Sequence, residues 1–374
     1  MNVNANRLEL LRAVRQAASV APNASPLEVL KGILLKAESN GHLYLSATNL
    51  EVAIRIGLPC VSENEDAVVV NARLLVGMLE RLGGESVMLS RNDSSLQLTV
   101  KSEKAFYQIP ILGGDCFPQI EMPFPEDTIP VKGLPKMVKR IAFAVDKTNN
   151  EKPMLRCVNL MFTRDGLKAA GGDGHCMATA KGDANSTGDI AMMVPATSLG
   201  TLARISSDKD EFRVGTTGKS IVFMKKDLFF SARILDGEYI DTDRLIARLT
   251  NRFTVLADME ELRDTLYSTV SIDPDGTLML GFDGNLLYTR CDSEYAKAVN
   301  SMSVIPLTGT PKGEYWYRSR QLMECLRVTE GMTTIGVAQN GLLTVSTENS
   351  YYFQSPVRAP ATVRKTPDPE PKAA

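Results

Sequence analysis

The alternation of apolar and polar residues predicts that one hairpin-like stretch occurs three times along the chain. Residues 164–178 read RDGLKAAGGDGHCMA, and residues 40–53 (NGHLYLSATNLEVA) and 274–288 (PDGTLMLGFDGNLLY) follow the same order. Each begins with a glycine after Asn or Asp, which favours a tight turn, and continues with period-two alternation, which favours paired strands. The markers that we take as equivalent are the glycines Gly41, Gly166 and Gly276 and the polar residues Asn49, Asp173 and Asp283.

Two kinds of helix recur around these hairpins. An amphipathic pattern predicts a first helix at 6–19, with Leu8, Leu11 and Val14 on its apolar face. We expect its counterparts at 134–145 and 254–267. A strand leading into a second helix is predicted at 68–83, with Asn71 as the N-cap, and again at 193–205 and 314–328. Further strands are expected within 27–36, 87–110, 155–162, 220–232 and 342–354, with loops at 115–130 and 235–244.

The spacing of independent markers indicates a triplication. The second-helix segments align at Asn71, Pro195 and Tyr317, with offsets of 124 and 122 residues. The third hairpin comes early, 110 residues after the second, so we expect residues to be lost before a strand at Thr269 and regained near 291–313. A repeat of this length favours tandem domains. We predict an α+β fold of three tandem domains, 1–128, 129–250 and 251–358, followed by a disordered Pro-rich tail at 359–374.

Composition limits the setting of the protein. The 374 residues carry a formal charge of −2 and six scattered cysteines without a CxxC pair. The first residues lack the apolar core of a signal peptide, and no apolar run is long enough to span a membrane. We therefore expect a cytoplasmic protein with free thiols, no disulfide framework and no membrane partner.

Basic side chains lie on the predicted helices, away from their apolar faces. A charged outer face is ordinary for one helix, but helix 134–145 carries three cations and no acid. A segregated basic face suits a polyanion. The exception is 258–264, where four acids accompany Arg263. The basic residues are Arg7, Arg12, Arg15, Arg73, Arg81, Lys132, Lys136, Lys139, Arg140, Arg204, Arg318, Arg320 and Arg327.

The triplicated two-helix domain resembles the bacterial β sliding clamp, the processivity subunit of DNA polymerase III. The resemblance covers residues 1–358 in order. It rests on Thr48-Asn49-Leu50-Glu51, Phe117-Pro118, Gly172-Asp173-Gly174-His175, Leu235-Asp236-Gly237 and Ser355-Pro356-Val357-Arg358.

The resemblance implies a head-to-tail homodimer whose six clamp domains form a ring, with two helices per domain packed on antiparallel sheets. Such a ring holds double-stranded DNA without reading its sequence, near the nucleoid. The residues that would face DNA are Arg7, Arg12, Arg15, Arg73, Lys136, Lys139, Arg140, Arg204 and Arg320.

The family also binds DNA polymerase, clamp loader and repair proteins through a short linear peptide, which lies in an apolar cleft between its second and third domains. Carried over by position, that cleft comprises Cys157, Gly172, Gly174, His175, Met177, Ile240, Arg244, Leu245, Phe353, Ser355, Pro356, Val357 and Arg358.

The chain departs from the family pattern at several positions. The interdomain loop usually reads Phe-Pro-Asp-Tyr, and residues 239–242 read Tyr-Ile-Asp-Thr. Cys176, Ser355 and Ala24 replace an Arg, a Met and an Arg that are common in the family. At the dimer interface, Phe106 matches an edge-strand aromatic, and Tyr267 and Ile272 lie in the region that would receive it.

Two other classes of function remain open alternatives. An enzyme is disfavoured because His175 and Cys176 are adjacent in a strand and point to opposite faces, and because two histidines and no Gly-rich phosphate loop offer little catalytic or metal chemistry. We expect no cofactor, no metal and no catalytic residue. A clamp-fold interaction scaffold with weakened DNA encirclement is favoured by the acidic 258–264 segment and opposed by the basic helices.

Overall fold

The computed structural model describes residues 1–360 except 63, 92–95, 104, 121–123, 150 and 187. The predicted turn at Asn92-Asp93 and the predicted tail from residue 361 onward lie outside the described residues. The first repeat begins with a strand that runs directly into a helix. Its elements are β1 (Asn2–Asn6), α1 (Arg7–Ala18), β2 (Gly32–Glu38), β3 (His42–Thr48), β4 (Val52–Pro59), β5 (Val61–Ser62), β6 (Asp66–Asn71), α2 (Ala72–Arg81), β7 (Ser86–Ser90), β8 (Gln97–Lys101) and β9 (Phe106–Gly113).

The same order of elements returns twice, which confirms the α+β class and the triplication. The second repeat has β10 (Ile129–Lys132), α3 (Leu134–Lys139), β11 (Cys157–Thr163), β12 (Gly166–Gly172), β13 (Cys176–Ala184), β14 (Ile190–Pro195), α4 (Ala196–Ile205), β15 (Glu211–Thr217), β16 (Ser220–Lys225) and β17 (Leu228–Arg233). After a short helix, α5 (Thr242–Ala247), the third has β18 (Asn251–Asp258), α6 (Met259–Val270), β19 (Thr277–Asp283), β20 (Leu286–Asp292), β21 (Lys297–Ser303), β22 (Ile305–Thr308), β23 (Lys312–Arg318), α7 (Ser319–Val328), β24 (Met332–Ala338), β25 (Leu343–Ser346) and β26 (Ser350–Gln354). The domain boundaries at 128, 250 and 358 stay predictions.

The chain divides into two compact units that do not coincide with the repeats. Unit 1 holds Met1–Pro135 and Thr197–Leu235, and unit 2 holds Lys136–Ala196 and the chain from Asp236 onward. Unit 1 contains one antiparallel sheet in the order β10-β15-β16-β17-β4-β3-β2-β6-β9-β8-β7-β1-β5. Unit 2 contains β14-β11-β12-β13-β26-β25-β24-β18-β22 and a separate sheet, β23-β19-β20-β21.

One turn occurs in all three repeats and corrects the predicted alignment. The Asn49 side chain accepts a hydrogen bond from the Val52 amide at 2.7 Å, and the Asp173 side chain accepts one from the Cys176 amide at 2.7 Å. In the third repeat the Ser293 hydroxyl accepts from the Ala296 amide at 3.1 Å. The backbone bond from the first residue to the fourth is also present each time.

Ser293, and not Asp283, is therefore the third counterpart of this turn. Asp283 ends β19, and Gly276 precedes that strand. The prediction that Gly276 matches Gly166 was wrong, because Asp-Gly pairs occur at two successive turns of the third repeat. With the turn aligned at Ser293, the offsets are 173 − 49 = 124 and 293 − 173 = 120.

The third repeat is shortened in one connection, as predicted, but the predicted regain of the lost residues near 291–313 was wrong, because it rested on the match of Gly276 with Gly166. From the turn to the second-helix marker the third repeat is only two residues longer than the first, 317 − 293 = 24 against 71 − 49 = 22. Residues 271–276 join α6 to β19, whereas residues 19–31 join α1 to β2. The prediction that a strand begins at Thr269 was wrong. Thr269 lies buried in α6, where its hydroxyl contacts that of Thr289 at 2.6 Å.

Three helix predictions need correction at their ends or faces. In α1 the buried residues include Leu10, Val14 and Ala17, whereas Leu8 is 63% exposed, because the buried stripe repeats every three to four residues from Leu10. The predicted helix at 254–267 starts only at Met259, because residues up to Asp258 pair in a strand. Helix α3 ends at Lys139, and the predicted loop at 235–244 contains the start of α5.

Candidate functional sites

Three of the basic residues predicted to face DNA line one groove in unit 1. We call this basic groove the open cavity of about 450 Å³ lined by residues of α1 and the end of α4. The Gln16 side chain ties the two helices together by donating to the Ile205 carbonyl at 2.8 Å. The lining residues are Leu8, Leu11, Arg12, Arg15, Gln16, Ser19, Arg204 and Ile205.

The arginines of the basic groove are exposed and weakly neutralised. Arg15 forms a 2.7 Å ion pair with Glu80, in which both side chains are largely solvent-exposed. Such a pair stabilises little and is easily exchanged for another anion. Burial tends to raise the pKa of Asp210, but the ion pair with Lys225 and the charge of Arg12 keep that pKa below its usual value. The groove can therefore accept phosphates without breaking a buried ion pair.

Other predicted DNA-facing residues are engaged within the protein. The Arg7 guanidinium donates to the Gly84 carbonyl at 2.7 Å and is half-buried, so it fixes the connection after α2. Arg73 donates to the Asn23 side chain at 3.0 Å. In unit 2 the ammonium of Lys136 lies 4.0 Å from Glu330, and Arg320 lies 3.9 Å from Asp275. Lys139 is exposed and Arg140 half-buried.

The single arginine of the acidic helix α6 points toward the end of α7. The Arg263 guanidinium donates to the Leu326 carbonyl at 2.9 Å and to the Thr329 carbonyl at 2.9 Å. These carbonyls belong to the end of α7, where helical bonds run out. Arg263 thus caps the end of α7 and is half-buried, whereas Glu260 and Glu261 are exposed on α6.

The residues predicted to form the partner cleft come together around the turn after β12. Gly172 ends β12 and pairs with Met177 in β13, and Gly174 has φ +89°. A side chain at Gly172 would lie 2.6 Å from the Cys176 carbonyl, so the backbone needs glycine there. His175 is exposed at the turn, and its carbonyl accepts from the Ser355 amide at 2.8 Å.

An apolar cluster of buried and half-buried side chains adjoins this turn. Met177 lies opposite Phe353 in the β13–β26 pair, and Leu245 of α5 packs against both within one cluster. Asp241 positions α5, because its carboxylate accepts from the Arg244 amide at 2.9 Å. The cluster also contains residues that the sequence did not point to: Ala338, Leu342, Ile246, Leu249 and Tyr351.

Burial changes the chemistry of two groups beside Gly172. It raises the pKa of the Cys157 thiol to about 11, although nearby Arg156 acts in the opposite direction. It also raises the pKa of the Tyr239 phenol to about 12, with the backbone of Gly172 acting against it. Tyr239 was missed as a site residue, although it lies in the loop that departs from the family pattern. Both groups are therefore neutral at physiological pH.

The remaining predicted cleft residues are not part of this apolar cluster. Ile240 is 40% exposed, and Arg244 and Arg358 are exposed. The Val357 amide donates to the Trp316 carbonyl at 2.7 Å, which fixes the chain after β26. Pro356 lies over Gly341, where a β-carbon would be 3.4 Å away.

The predicted dimer residues lie on separate elements. Phe106 is 65% exposed at the start of β9, which pairs with β8 there. Tyr267 of α6 is 40% exposed and accepts a 2.8 Å hydrogen bond from Arg327, and Ile272 is half-buried. Strand β21 ends its sheet and exposes Val299, at 56%.

Membrane-spanning helices and metal-ligand clusters are both absent from the part of the chain that the structure describes. Within residues 1–360 and apart from the gaps given above, no helix is both long and apolar enough to cross a bilayer. In the same residues, no three His, Cys, Asp or Glu side chains are grouped so that they could hold a metal ion.

Comparison with known proteins gives two matching family models and many relatives. The N-terminal domain of the DNA polymerase III beta subunit matches residues 1–121, and the central domain of that subunit matches residues 128–241. The beta sliding clamp of Staphylococcus aureus is 26% identical over 239 residues, which is 61% of this chain and 62% of that protein. The chain thus matches less than two thirds of the length of this curated relative.

Solved structures share the fold over nearly the whole chain. The DNA polymerase sliding clamp from Bacillus subtilis has a TM-score of 0.86 at 19% identity, covering 96% of this chain and 99% of that one. The DNA polymerase III beta subunit from Thermotoga maritima has a TM-score of 0.85 at 20% identity, covering 96% and 100%. The sliding clamp from Pseudomonas aeruginosa bound to griselimycin has a TM-score of 0.86 at 21% identity, covering 96% and 100%.

Proposed function

Because the chain belongs to the DNA polymerase III beta subunit family, we propose that it is a sliding clamp, a non-catalytic ring that encircles duplex DNA and tethers a replicative polymerase in the cytoplasm, at the nucleoid. The observation that carries this proposal is the basic groove, where Arg12, Arg15 and Arg204 meet on helices and remain exposed. Arginines on a helical surface attract phosphates without reading bases. Contacts of this kind let a protein slide.

The ring would form by pairing strand edges between two chains. Each chain has an edge at the start of β9 and another at β21, both with exposed apolar side chains. Unpaired edges invite pairing with another strand. A head-to-tail dimer in which β9 of one chain meets β21 of the other closes both edges at once.

Partner proteins would bind the surface around Met177, Phe353 and Leu245. Methionine and aliphatic side chains form adaptable apolar sites, and exposed Arg244 offers a partner for a peptide carboxylate or carbonyl. The polymerase and a clamp loader would each present a short linear motif there. The buried, uncharged side chains of Tyr239 and Cys157 would form one wall of this peptide-binding site.

A topological test separates a ring from an ordinary DNA-binding protein. The protein is incubated with linear duplex DNA carrying biotin at both ends, and streptavidin is then added to block the ends. A sliding clamp stays on the blocked DNA through a high-salt gel-filtration run and slides off the same DNA when the ends are left open. Equal loss from both DNAs would contradict encirclement.

The alternative function is a clamp-fold interaction scaffold with weakened DNA encirclement. The specific observation in its favour is α6, whose first turn carries Glu260 and Glu261 and whose Arg263 points inward. Such a helix repels phosphates. The scaffold predicts that the protein binds partner peptides normally while the streptavidin block makes no difference to its retention on DNA.

A further inference from the structure

A second cavity lies on the sheet of unit 1, at a place related to the partner cleft by the repeat. Strand β17 joins β4 as β26 joins β13, beside the equivalent turns at Asn49 and Asp173. The cavity has a volume of about 990 Å³ and is bordered by residues 124–128 of the connection between repeats. We call it the two-arginine pocket. The residues that give it its chemistry are Tyr44, Arg55, Phe124, Arg213, Met224 and Phe229.

Four of these residues form a straight row across four strands. Arg213 of β15 lies opposite Met224 of β16, Met224 lies opposite Phe229 of β17, and Phe229 lies opposite Arg55 of β4. Directly opposed residues in an antiparallel sheet share one face. The row therefore presents an arginine at each end and an apolar centre. Three strand spacings separate the two arginines, which is about 14 Å.

The two arginines are the cations of the pocket that lack acidic partners. Lys225 pairs with Asp210, and Lys226 lies 3.7 Å from Asp227. In the described part of the chain, no carboxylate lies within 4.0 Å of Arg55 or Arg213.

Besides Asp227, two carboxylates lie in the same lining, but they do not neutralise the row. Glu211 is 3.5 Å from Lys132, and Glu126 is exposed on the bordering segment. The pocket therefore offers two separate sites for an anion, one at each end of the row.

Aromatic contacts hold Arg55 in place and leave most of the Phe124 ring exposed. The Arg55 guanidinium lies 4.0 Å from the centre of the Tyr44 ring. Tyr44 in turn lies over Gly57, where a β-carbon would be 3.1 Å from the ring. Phe124 meets Phe229 edge-on, with ring centres 5.9 Å apart, and is 77% exposed. An exposed phenylalanine beside a buried one can cover an incoming aromatic side chain.

We propose that the two-arginine pocket binds an extended segment of a partner protein with the pattern acid–x–aromatic–x–acid. In an extended peptide the first, third and fifth side chains point to one face, and four residue steps span about 14 Å. This matches the spacing of Arg55 and Arg213. The aromatic side chain would lie on Met224 and Phe229, under Phe124, and each acid would meet one guanidinium.

This site does not depend on the proposed DNA function. It lies entirely within unit 1, whereas the partner cleft lies entirely within unit 2. A clamp and a scaffold could both use it. Its failure would leave the ring hypothesis untouched, because the streptavidin test does not involve peptide.

The test uses the full chain and a fluorescein-labelled probe, Glu-Ser-Phe-Ser-Glu with blocked termini, followed by fluorescence anisotropy. Two control peptides are Gln-Ser-Phe-Ser-Gln and the respaced Glu-Glu-Phe-Ser-Ser. The probe is expected to bind at least tenfold more tightly than either control, and raised salt is expected to weaken it. Arg55→Gln and Arg213→Gln should each weaken the probe about tenfold, the usual size for a charge-assisted hydrogen bond.

Matched variants locate the binding. Arg164→Gln, an exposed arginine of unit 2 that belongs to neither binding surface, should leave the affinity of the probe unchanged, and the melting curves of all three variants should match that of the parent protein. The proposal is overturned by absence of binding, by equal binding of the respaced peptide, or by equal weakening in Arg164→Gln. Stronger binding of a single-stranded oligonucleotide at the same arginines would also overturn it.

Discussion

Single polar side chains at turns decide which strands become neighbours. Asn49, Asp173 and Ser293 make the same two bonds in three repeats although the residues differ. Asn and Asp at such a turn were recognisable from the sequence, and they placed two hairpins correctly. Ser293 was not recognisable, because serine forms this turn less distinctively and the Asp-Gly pairs at 275–276 and 283–284 gave a stronger signal.

Replacing Asp173 by alanine should loosen the turn that carries His175. The Asp173 carboxylate accepts from two amides, at 2.7 Å each. Losing both bonds should destabilise the β12–β13 hairpin by about 1–2 kcal/mol, seen as roughly five- to thirtyfold faster hydrogen exchange in those strands. Asp173→Asn keeps the acceptor and serves as the control. Equal exchange in parent and alanine variant would show that the turn is held by its backbone alone.

The buried cysteines should resist alkylation at neutral pH. Burial raises the pKa of both Cys157 and Cys291 to about 11, so the reactive thiolate is scarce below that pH and increases about tenfold per pH unit toward it. Iodoacetamide at pH 8 should modify exposed Cys116 first, as measured by peptide mass spectrometry. Labelling of Cys157 as fast as Cys116 in the folded protein would contradict its burial.

At the scale of the element, the sequence predicted where the helices lie better than it predicted what their charged side chains contact. Periodicity located α1, α2, α4 and α7, but it did not show that Arg7 and Arg263 serve backbone carbonyls. Charge on a helix says only that a residue is off the apolar stripe. Whether it meets solvent, phosphate or another helix depends on tertiary contacts. The same limit hid Tyr239, whose burial depends on strand β12.

Removing the Arg263 side chain should weaken the contact between α6 and α7. Arg263→Ala leaves the Leu326 and Thr329 carbonyls without their charged donor, at a cost of about 1–3 kcal/mol. Urea unfolding followed by the single tryptophan, Trp316, which lies in β23 just before α7, should show a lower midpoint. The control is Glu260→Ala on the exposed face of α6, which should change little. A midpoint unchanged in Arg263→Ala would mean that water satisfies these carbonyls.

At the scale of the whole molecule, the sequence predicted the triplication and the clamp family. It could not predict that strands of the following repeat extend a sheet of the first repeat and a sheet of the second, because the β4–β17 and β13–β26 pairs join residues far apart in the chain. The residues of the predicted partner cleft meet in unit 2 through the second of these pairs. The predicted DNA-facing residues are more dispersed, and three of them share the basic groove.

The proposed ring predicts a dimer that depends on two edges. Phe106→Ala together with Val299→Asp removes an exposed apolar side chain from β9 and places a charge on β21. Sedimentation should then show dissociation at concentrations where the parent protein is dimeric. The control, Leu96→Ala, changes an even more exposed apolar residue just before β8. A parent protein that is monomeric at micromolar concentration would contradict the ring hypothesis and favour the interaction scaffold.

The division into two units has a consequence for cutting the chain. The backbone passes from one unit to the other near residues 135, 196 and 235, so three chain segments connect the two units. One protease nick divides the chain into two polypeptides, but the strand pairs β4–β17 and β13–β26 join residues far apart in the chain and still hold the two pieces together. A truncated protein that ends at a repeat boundary, by contrast, would lack a strand of one of its sheets, because β17 and β26 each lie in the repeat after the strand with which they pair. The protein should therefore survive nicking far better than truncation.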